Sequence, residues 1–104
     1  MPAVTKTTVA KASEMSDGDI RQVKAAGRTL ALFGVAGAVY AIDDTCPHRG
    51  CPLSDGDLDG STITCSCHGS QFDVRTGALL RGPATAPVQS YPVAIEGGDV
   101  RVDV

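Results

Sequence analysis

The sequence predicts a single all-β domain, and three observations lead to that prediction. Its 104 residues suffice for one compact core but not for two. Apolar and polar residues alternate over short segments, which is the two-residue period of a half-buried strand. The 12 glycines and 6 prolines fall largely between those segments, where turns are needed. This pattern favours hairpins and leaves little room for helices.

Strand character is strongest in four segments, which are residues 30–33, 39–42, 91–95 and 100–104. The turn signals between and around them are Asp17-Gly18, the glycines from 34 to 37, Asp59-Gly60, Thr76-Gly77 and Gly97-Gly98. One weak helical turn is predicted over residues 13–20, with Ser16 or Asp17 as its cap.

Charge and aromatic content argue against a nucleic-acid partner. Asp and Glu number 12 against 9 Lys and Arg, so the surface is mildly acidic and would repel phosphates. Aromatic residues make up 4% of the chain and Trp is absent, so no platform for stacking bases is expected. A basic protein is the better partner for such a surface.

No apolar stretch reaches the length of a membrane span, and the first residues lack the apolar core of an export signal. We therefore expect no membrane partner and a cytoplasmic location. In that reducing compartment, four cysteines serve metal binding more often than two disulfides.

Two segments interrupt the strand pattern, and both contain potential metal ligands. Residues 43–57 include Cys46 and His48, and residues 65–71 include Cys65 and His68. A turn and a strand over residues 58–64 would form a hairpin that brings the two loops side by side. A third loop, residues 81–87, is rigid and suited to covering one side of such a site.

Two thiolates and two imidazoles suit iron-sulfur clusters, zinc or copper. Zinc fingers usually pair cysteine with cysteine and histidine with histidine, whereas each loop here supplies one of each. A structural zinc module, and four loop residues that bind no metal, remain as alternatives to an iron-sulfur centre.

The mixed pairing resembles the Rieske family, whose motif is Cys-x-His, some 15 to 17 residues, and then Cys-x2-His. Here 16 residues separate His48 from Cys65. The resemblance implies one two-iron two-sulfide (2Fe-2S) cluster per chain, with Cys46 and Cys65 on the inner iron and His48 and His68 on the outer one.

The same resemblance implies the Rieske fold. An antiparallel β-sandwich or barrel would form the base, from residues 1–42 and 80–104. A small inserted subdomain, residues 43–79, would bind the cluster through the two ligand loops, with the Pro-containing loop as cover. Gly82-Pro83 supplies the family's Gly-Pro pair in that covering loop.

The two other cysteines, Cys51 and Cys67, resemble those of the Rieske subgroup whose ligand loops are joined by a disulfide; two free buried thiols are the alternative. Ser70 lies in a segment similar to the family's Gly-Ser-x-Tyr or Phe, which implies that its hydroxyl donates to a bridging sulfide. A plain loop serine is the alternative. Phe72 lacks the hydroxyl of the tyrosine found in high-potential members, so we expect a lower potential than theirs.

This chain resembles small bacterial Rieske ferredoxins in its length and in the residues after the second loop. Those ferredoxins carry electrons to ring-hydroxylating dioxygenases. Their ligand loops usually lack counterparts of Cys51 and Cys67. Arg49 stands where quinol-oxidising subunits usually have leucine, which argues against quinol oxidation. A terminal oxygenase needs further histidines for a catalytic iron, and this chain has only two.

The sequence therefore predicts a monomeric electron carrier that is not itself an enzyme and that links a reductase to a terminal oxidoreductase. A relay subunit of a nitrite or arsenite oxidoreductase is the alternative. The expected contact surface comprises Pro47, His48, Arg49, His68, Gly69 and Pro83, with the acidic residues Asp43, Asp44, Asp55 and Asp57 nearby.

Overall fold

The computed structural model describes residues 6–46, 50–67, 69–82 and 84–103. The strands are β1 (Lys6–Lys11), β2 (Ile20–Ala25), β3 (Arg28–Val35), β4 (Ala38–Asp43), β5 (Asp57–Asp59), β6 (Thr62–Thr64), β7 (Gln71–Asp73), β8 (Leu79–Arg81), β9 (Ser90–Tyr91), β10 (Val93–Glu96) and β11 (Asp99–Asp103). Two short 3-10 turns span Ala12–Glu14 and Leu53–Asp55. Among the described residues, no helix has the length and apolar character that crossing a bilayer requires.

The strands form three antiparallel sheets, which confirms the all-β prediction. One sheet has the order β1-β11-β10, a second β2-β3-β4-β9, and a third β5-β6-β7-β8. The third sheet is built entirely from the chain between β4 and β9. Strands β5 and β6 form the hairpin predicted between the two ligand loops, with Leu58 opposite Ile63.

Strand β3 is buried on both of its faces. Leu30 and Leu32 point into a core between the first two sheets, whereas Ala31 and Phe33 point into a second core that also contains residues of the third sheet. All four side chains have no exposed surface. A strand buried on both faces reads as a continuous apolar run, which explains the sequence of this segment.

Proline 92 divides the predicted strand over residues 91–95 in two. Tyr91 pairs with Ala41 in the second sheet, and Val93 pairs with Val102 in the first. Because proline has no N–H, it cannot continue a ladder as donor, and the chain changes sheets at this residue.

The helical turn predicted over residues 13–20 is wrong. The structure has a 3-10 turn at Ala12–Glu14 and enters β2 at Ile20. Ser16 and Asp19 lie in a turn in which the Ser16 N–H donates to the Asp19 carboxylate at 2.8 Å. This side-chain bond competes with helix formation, as is typical of aspartate.

Gly34 lies inside β3 and not in the turn predicted for residues 34–37, which is formed by Ala36 and Gly37. The Gly34 N–H donates to the Asp19 carbonyl, and the Gly34 carbonyl accepts from the Gly18 N–H. A Cβ at this position would overlap the carbonyl oxygen of Ser16. The glycine is therefore needed because the backbone of the preceding turn approaches it closely.

We expect Gly34→Ala to lower the free energy of unfolding by about 1–3 kcal/mol, because two backbone segments must separate. Chemical denaturation measures this change. Gly82→Ala is the matched control, since its Cβ would meet no atom of the described residues nearer than 3.4 Å; it should change stability by less than about 0.5 kcal/mol. Equal stability of the two variants would contradict the close approach.

Candidate metal centre

The first ligand loop, residues 44–54, is closed by its own backbone. The Leu53 N–H donates to the Asp44 carbonyl at 2.6 Å, and the Cys46 N–H donates to the Cys51 carbonyl at 2.9 Å. The Gly50 N–H returns to the Cys46 carbonyl at 2.8 Å. These bonds fix Cys46 at the base of the loop, where only 2% of its surface is exposed. Pro47, His48 and Arg49 lie outside the described residues.

Asp44 anchors this loop to the base of the protein. Its carboxylate accepts from the Ser54 N–H at 2.7 Å and from the Gln22 side-chain amide at 2.6 Å, and its own N–H donates to the Thr29 carbonyl. Asp44 is 2% exposed. Its prediction as an acidic residue of the contact surface is therefore wrong, because a buried carboxylate does not face a partner. Asp55 and Asp57 are exposed, as expected.

The second ligand loop, residues 65–70, is also closed by backbone hydrogen bonds. The Cys65 N–H donates to the Ser70 carbonyl at 2.8 Å, and the Gly69 N–H donates to the Cys65 carbonyl at 3.0 Å. Cys65 is as deeply buried as Cys46. His68 lies outside the described residues, so the structure does not test its predicted role.

The loop of residues 81–87 contacts the second ligand loop through Ser70. The hydroxyl oxygen of Ser70 accepts from the Ala84 N–H at 3.0 Å, and both residues are buried. Ala84 packs into the same core as Cys46 and Cys65. This part of the chain therefore lies against the site, as predicted for a covering loop; Pro83 itself lies outside the described residues.

A disulfide joins Cys51 to Cys67 and so links the two ligand loops, with 6.5 Å between the Cα atoms. Cys46 and Cys65 remain free thiols. The four cysteines thus divide into two kinds. The disulfide pair is partly accessible, whereas the free pair is buried in one apolar core.

Tyr91 supports the start of the first loop from β9. Its hydroxyl donates to the Asp43 carboxylate at 2.7 Å and accepts from the Arg28 guanidinium at 3.2 Å. Burial raises the pKa of Tyr91, and the hydrogen bond to Asp43 raises it further. The hydroxyl therefore stays protonated and keeps its bond to the end of β4.

The described residues fit the inner half of a Rieske cluster. Two buried, unpaired cysteines lie at the bases of adjacent loops, and thiolate is the ligand that iron-sulfur clusters require. The Ser70 hydroxyl uses its oxygen as an acceptor toward Ala84, which leaves its proton available for a donor bond.

We expect Asp44→Ala to destabilise the protein by about 2–3 kcal/mol, because two donors lose a buried acceptor. Asp44→Asn should cost less, since its carbonyl oxygen can still accept from Ser54. Thermal unfolding measures both. Asp57→Ala removes an exposed acid and should change stability by less than about 0.5 kcal/mol; a loss equal to that of Asp44→Ala would contradict the anchoring role.

Comparison with known proteins gives one consistent family. Residues 5–92 match the model of the Rieske [2Fe-2S] domain. The ferredoxin component of a naphthalene 1,2-dioxygenase system from Pseudomonas aeruginosa is 43% identical over 91 residues, which cover 88% of each chain. The p-cumate 2,3-dioxygenase ferredoxin component of Pseudomonas putida is also 43% identical, over 88% of this chain and 79% of that protein.

A solved structure gives the same result. The ferredoxin of carbazole 1,9a-dioxygenase from Nocardioides aromaticivorans IC177 superposes with a TM-score of 0.91 at 31% identity, covering 95% of this chain and 97% of that one. The family match over residues 5–92 includes both ligand loops, and the superposition extends over nearly the whole of both chains. The chain therefore belongs to the Rieske [2Fe-2S] family and is a small Rieske ferredoxin.

Proposed function

We propose that this chain is a one-electron carrier whose single 2Fe-2S cluster is held by Cys46 and Cys65 on one iron and by His48 and His68 on the other. The observation that supports the two cysteine ligands is the division of the four cysteines, and the two histidines are assigned from the sequence motif. Two are buried and free in the core beneath the loops, and the other two are joined as a disulfide. Only the free pair is available as thiolate ligands.

When bound, the cluster supplies a site that accepts and releases one electron at a time. The chain contributes a rigid setting for that step. Backbone hydrogen bonds close both loops, the disulfide joins them, and Asp44 and Ser70 connect them to the rest of the protein. A site that moves little between its two charge states needs little reorganisation when an electron arrives.

The partners that we propose are a reductase that delivers electrons and a terminal oxygenase that receives them. The relatives are ferredoxin components of dioxygenase systems, and the likeness covers most of each chain. Only two histidines occur in the sequence, and both are assigned to the cluster. No histidine would then remain for a catalytic mononuclear iron, which supports a carrier and not an enzyme. We further propose that this carrier is monomeric and cytoplasmic.

We expect Cys46→Ser to abolish the bound iron and sulfide, because hydroxyl is a poor ligand for the inner iron. Iron and acid-labile sulfide analysis of anaerobically purified protein, with electron paramagnetic resonance of the reduced form, measures this. The matched control is the double variant Cys51→Ser with Cys67→Ser, which should keep two irons and two sulfides per chain. If the control lost the cluster as completely as Cys46→Ser does while its circular dichroism remained native, the assignment of only the free cysteines as ligands would be wrong.

We expect Ser70→Ala to lower the reduction potential by roughly 60–130 mV, which corresponds to one hydrogen bond to a charged acceptor. The hydroxyl stabilises the reduced form because that form carries more negative charge. A redox titration followed by electron paramagnetic resonance measures the shift. Ser66→Ala changes an exposed serine of the same loop and serves as control. An unchanged potential in Ser70→Ala would remove the proposed role of this hydroxyl.

A further inference from the structure

A third sulfur lies beside the disulfide. The sulfur atoms of Cys51, Cys65 and Cys67 all lie within 4.8 Å of one another. Cys65 is buried, Cys51 is half-buried and Cys67 is exposed. The other free cysteine, Cys46, is not part of this group. The group therefore contains one proposed cluster ligand and two cysteines that are not proposed as ligands.

The distances from the Cys65 sulfur to the two disulfide sulfurs are compatible with a trigonal metal site once the disulfide bond is broken. Thiolate sulfur binds zinc at about 2.3 Å, and at that distance three sulfurs around one ion lie roughly 4 Å from one another. The sulfurs of the disulfide would need to separate to reach that spacing. After reduction, rotation of the two side chains can separate these sulfurs, because the Cα atoms of Cys51 and Cys67 lie 6.5 Å apart.

Backbone hydrogen bonds as well as the disulfide hold the chain at Cys51 and Cys65. The Cys51 carbonyl accepts from the Cys46 N–H. The Cys65 N–H donates to the Ser70 carbonyl, and the Cys65 carbonyl accepts from the Gly69 N–H. None of these bonds involves sulfur. Cleavage of the disulfide would therefore leave at least Cys51 and Cys65 in place, with their thiols near each other.

We propose that reduction of the Cys51–Cys67 disulfide creates a three-thiolate site for one soft d10 cation, formed by Cys51, Cys65 and Cys67. A dithiol supplies two electrons and two protons, becomes a disulfide itself and leaves two thiols on the protein. The exposed position of Cys67 gives such a reductant access. The cation then displaces the thiol protons into solvent. Soft thiolate ligands select cuprous copper and similar ions over hard cations.

This site competes with the cluster, a consequence that rests on the proposed function. Cys65 cannot serve both the inner iron and the soft cation. The disulfide therefore has a second effect besides joining the loops. It removes two surplus thiolates from the neighbourhood of Cys65 and so reserves that residue for iron.

Cadmium binding to the full-length, cluster-free Cys46→Ser variant tests the site, because this substitution removes the free pair Cys46 and Cys65, which could bind Cd²⁺ whether or not the disulfide is reduced. The disulfide is reduced with a phosphine, the reductant is removed without oxygen, and Cd²⁺ is titrated against a competing chelator while the thiolate-to-cadmium absorption is recorded. We expect one Cd²⁺ per chain in the reduced protein. Affinity should fall at least about 100-fold in the protein whose disulfide is intact, and by a similar factor in Cys51→Ser and in Cys65→Ser.

Ser66→Ala, added to the same Cys46→Ser variant, is the matched control, because it changes an exposed side chain of the second loop that lies outside the group. Its cadmium affinity should stay within about threefold of that of the Cys46→Ser variant. An unfolded chain would bind Cd²⁺ through any of its remaining cysteines, so an equal loss of affinity in Ser66→Ala and Cys51→Ser would overturn the proposal. Equal binding before and after reduction would also overturn it. Failure of the proposed function would show separately, as Cys46→Ser protein that still holds iron and sulfide.

Discussion

The site depends on one apolar core that lies beneath both ligand loops. Cys46 and Cys65 are members of this core, together with Phe33 from the central strand and Phe72 from the third sheet. Because interiors are close-packed, the positions of the two thiols follow from the packing of their neighbours. The loops therefore do not determine the positions of the two thiols by themselves. Packing against the second face of β3 also determines these positions.

The only described side chains that are both polar and buried are Asp44 and Ser70, and each fixes one ligand loop. Asp44 holds the first loop to β2 and ties the start of that loop to its end at Ser54, and Ser70 holds the second loop to the segment that covers it. Buried polar groups are costly unless their hydrogen bonds are satisfied. Their placement here restricts each loop to one arrangement, because any other would leave these groups without partners.

The sequence was sufficient to predict the features that depend on local chemistry. Apolar patterning predicted the strands around Leu30 and Val100, and the spacing of cysteine and histidine indicated the family. The strands β1 and β2 escaped prediction because neither has a strong alternating pattern. Both are ordered through pairing with strands that do, since β1 lies against β11 and β2 against β3.

The roles of Asp44 and Gly34 could not be predicted, because they depend on contacts between distant segments. Asp43 and Asp44 are adjacent acids in a loop-like segment, and nothing in that segment shows that Gln22 approaches only the second of them. Gly34 lies in a run that also contains Gly37, so it reads as part of a turn. A glycine is required at this position because the backbone of Ser16 lies against it in the folded protein.

Strands β4 and β9 are neighbours in one sheet although about 45 residues separate them in sequence. The Asp43 N–H donates to the Gln89 carbonyl at 2.9 Å, so the chain leaves the base and returns to it at nearly the same point. Such a narrow junction makes the segment between β4 and β9 modular. A tight turn in its place would join β4 and β9 as an ordinary hairpin, and the same segment could be grafted between two adjacent strands of another β-protein.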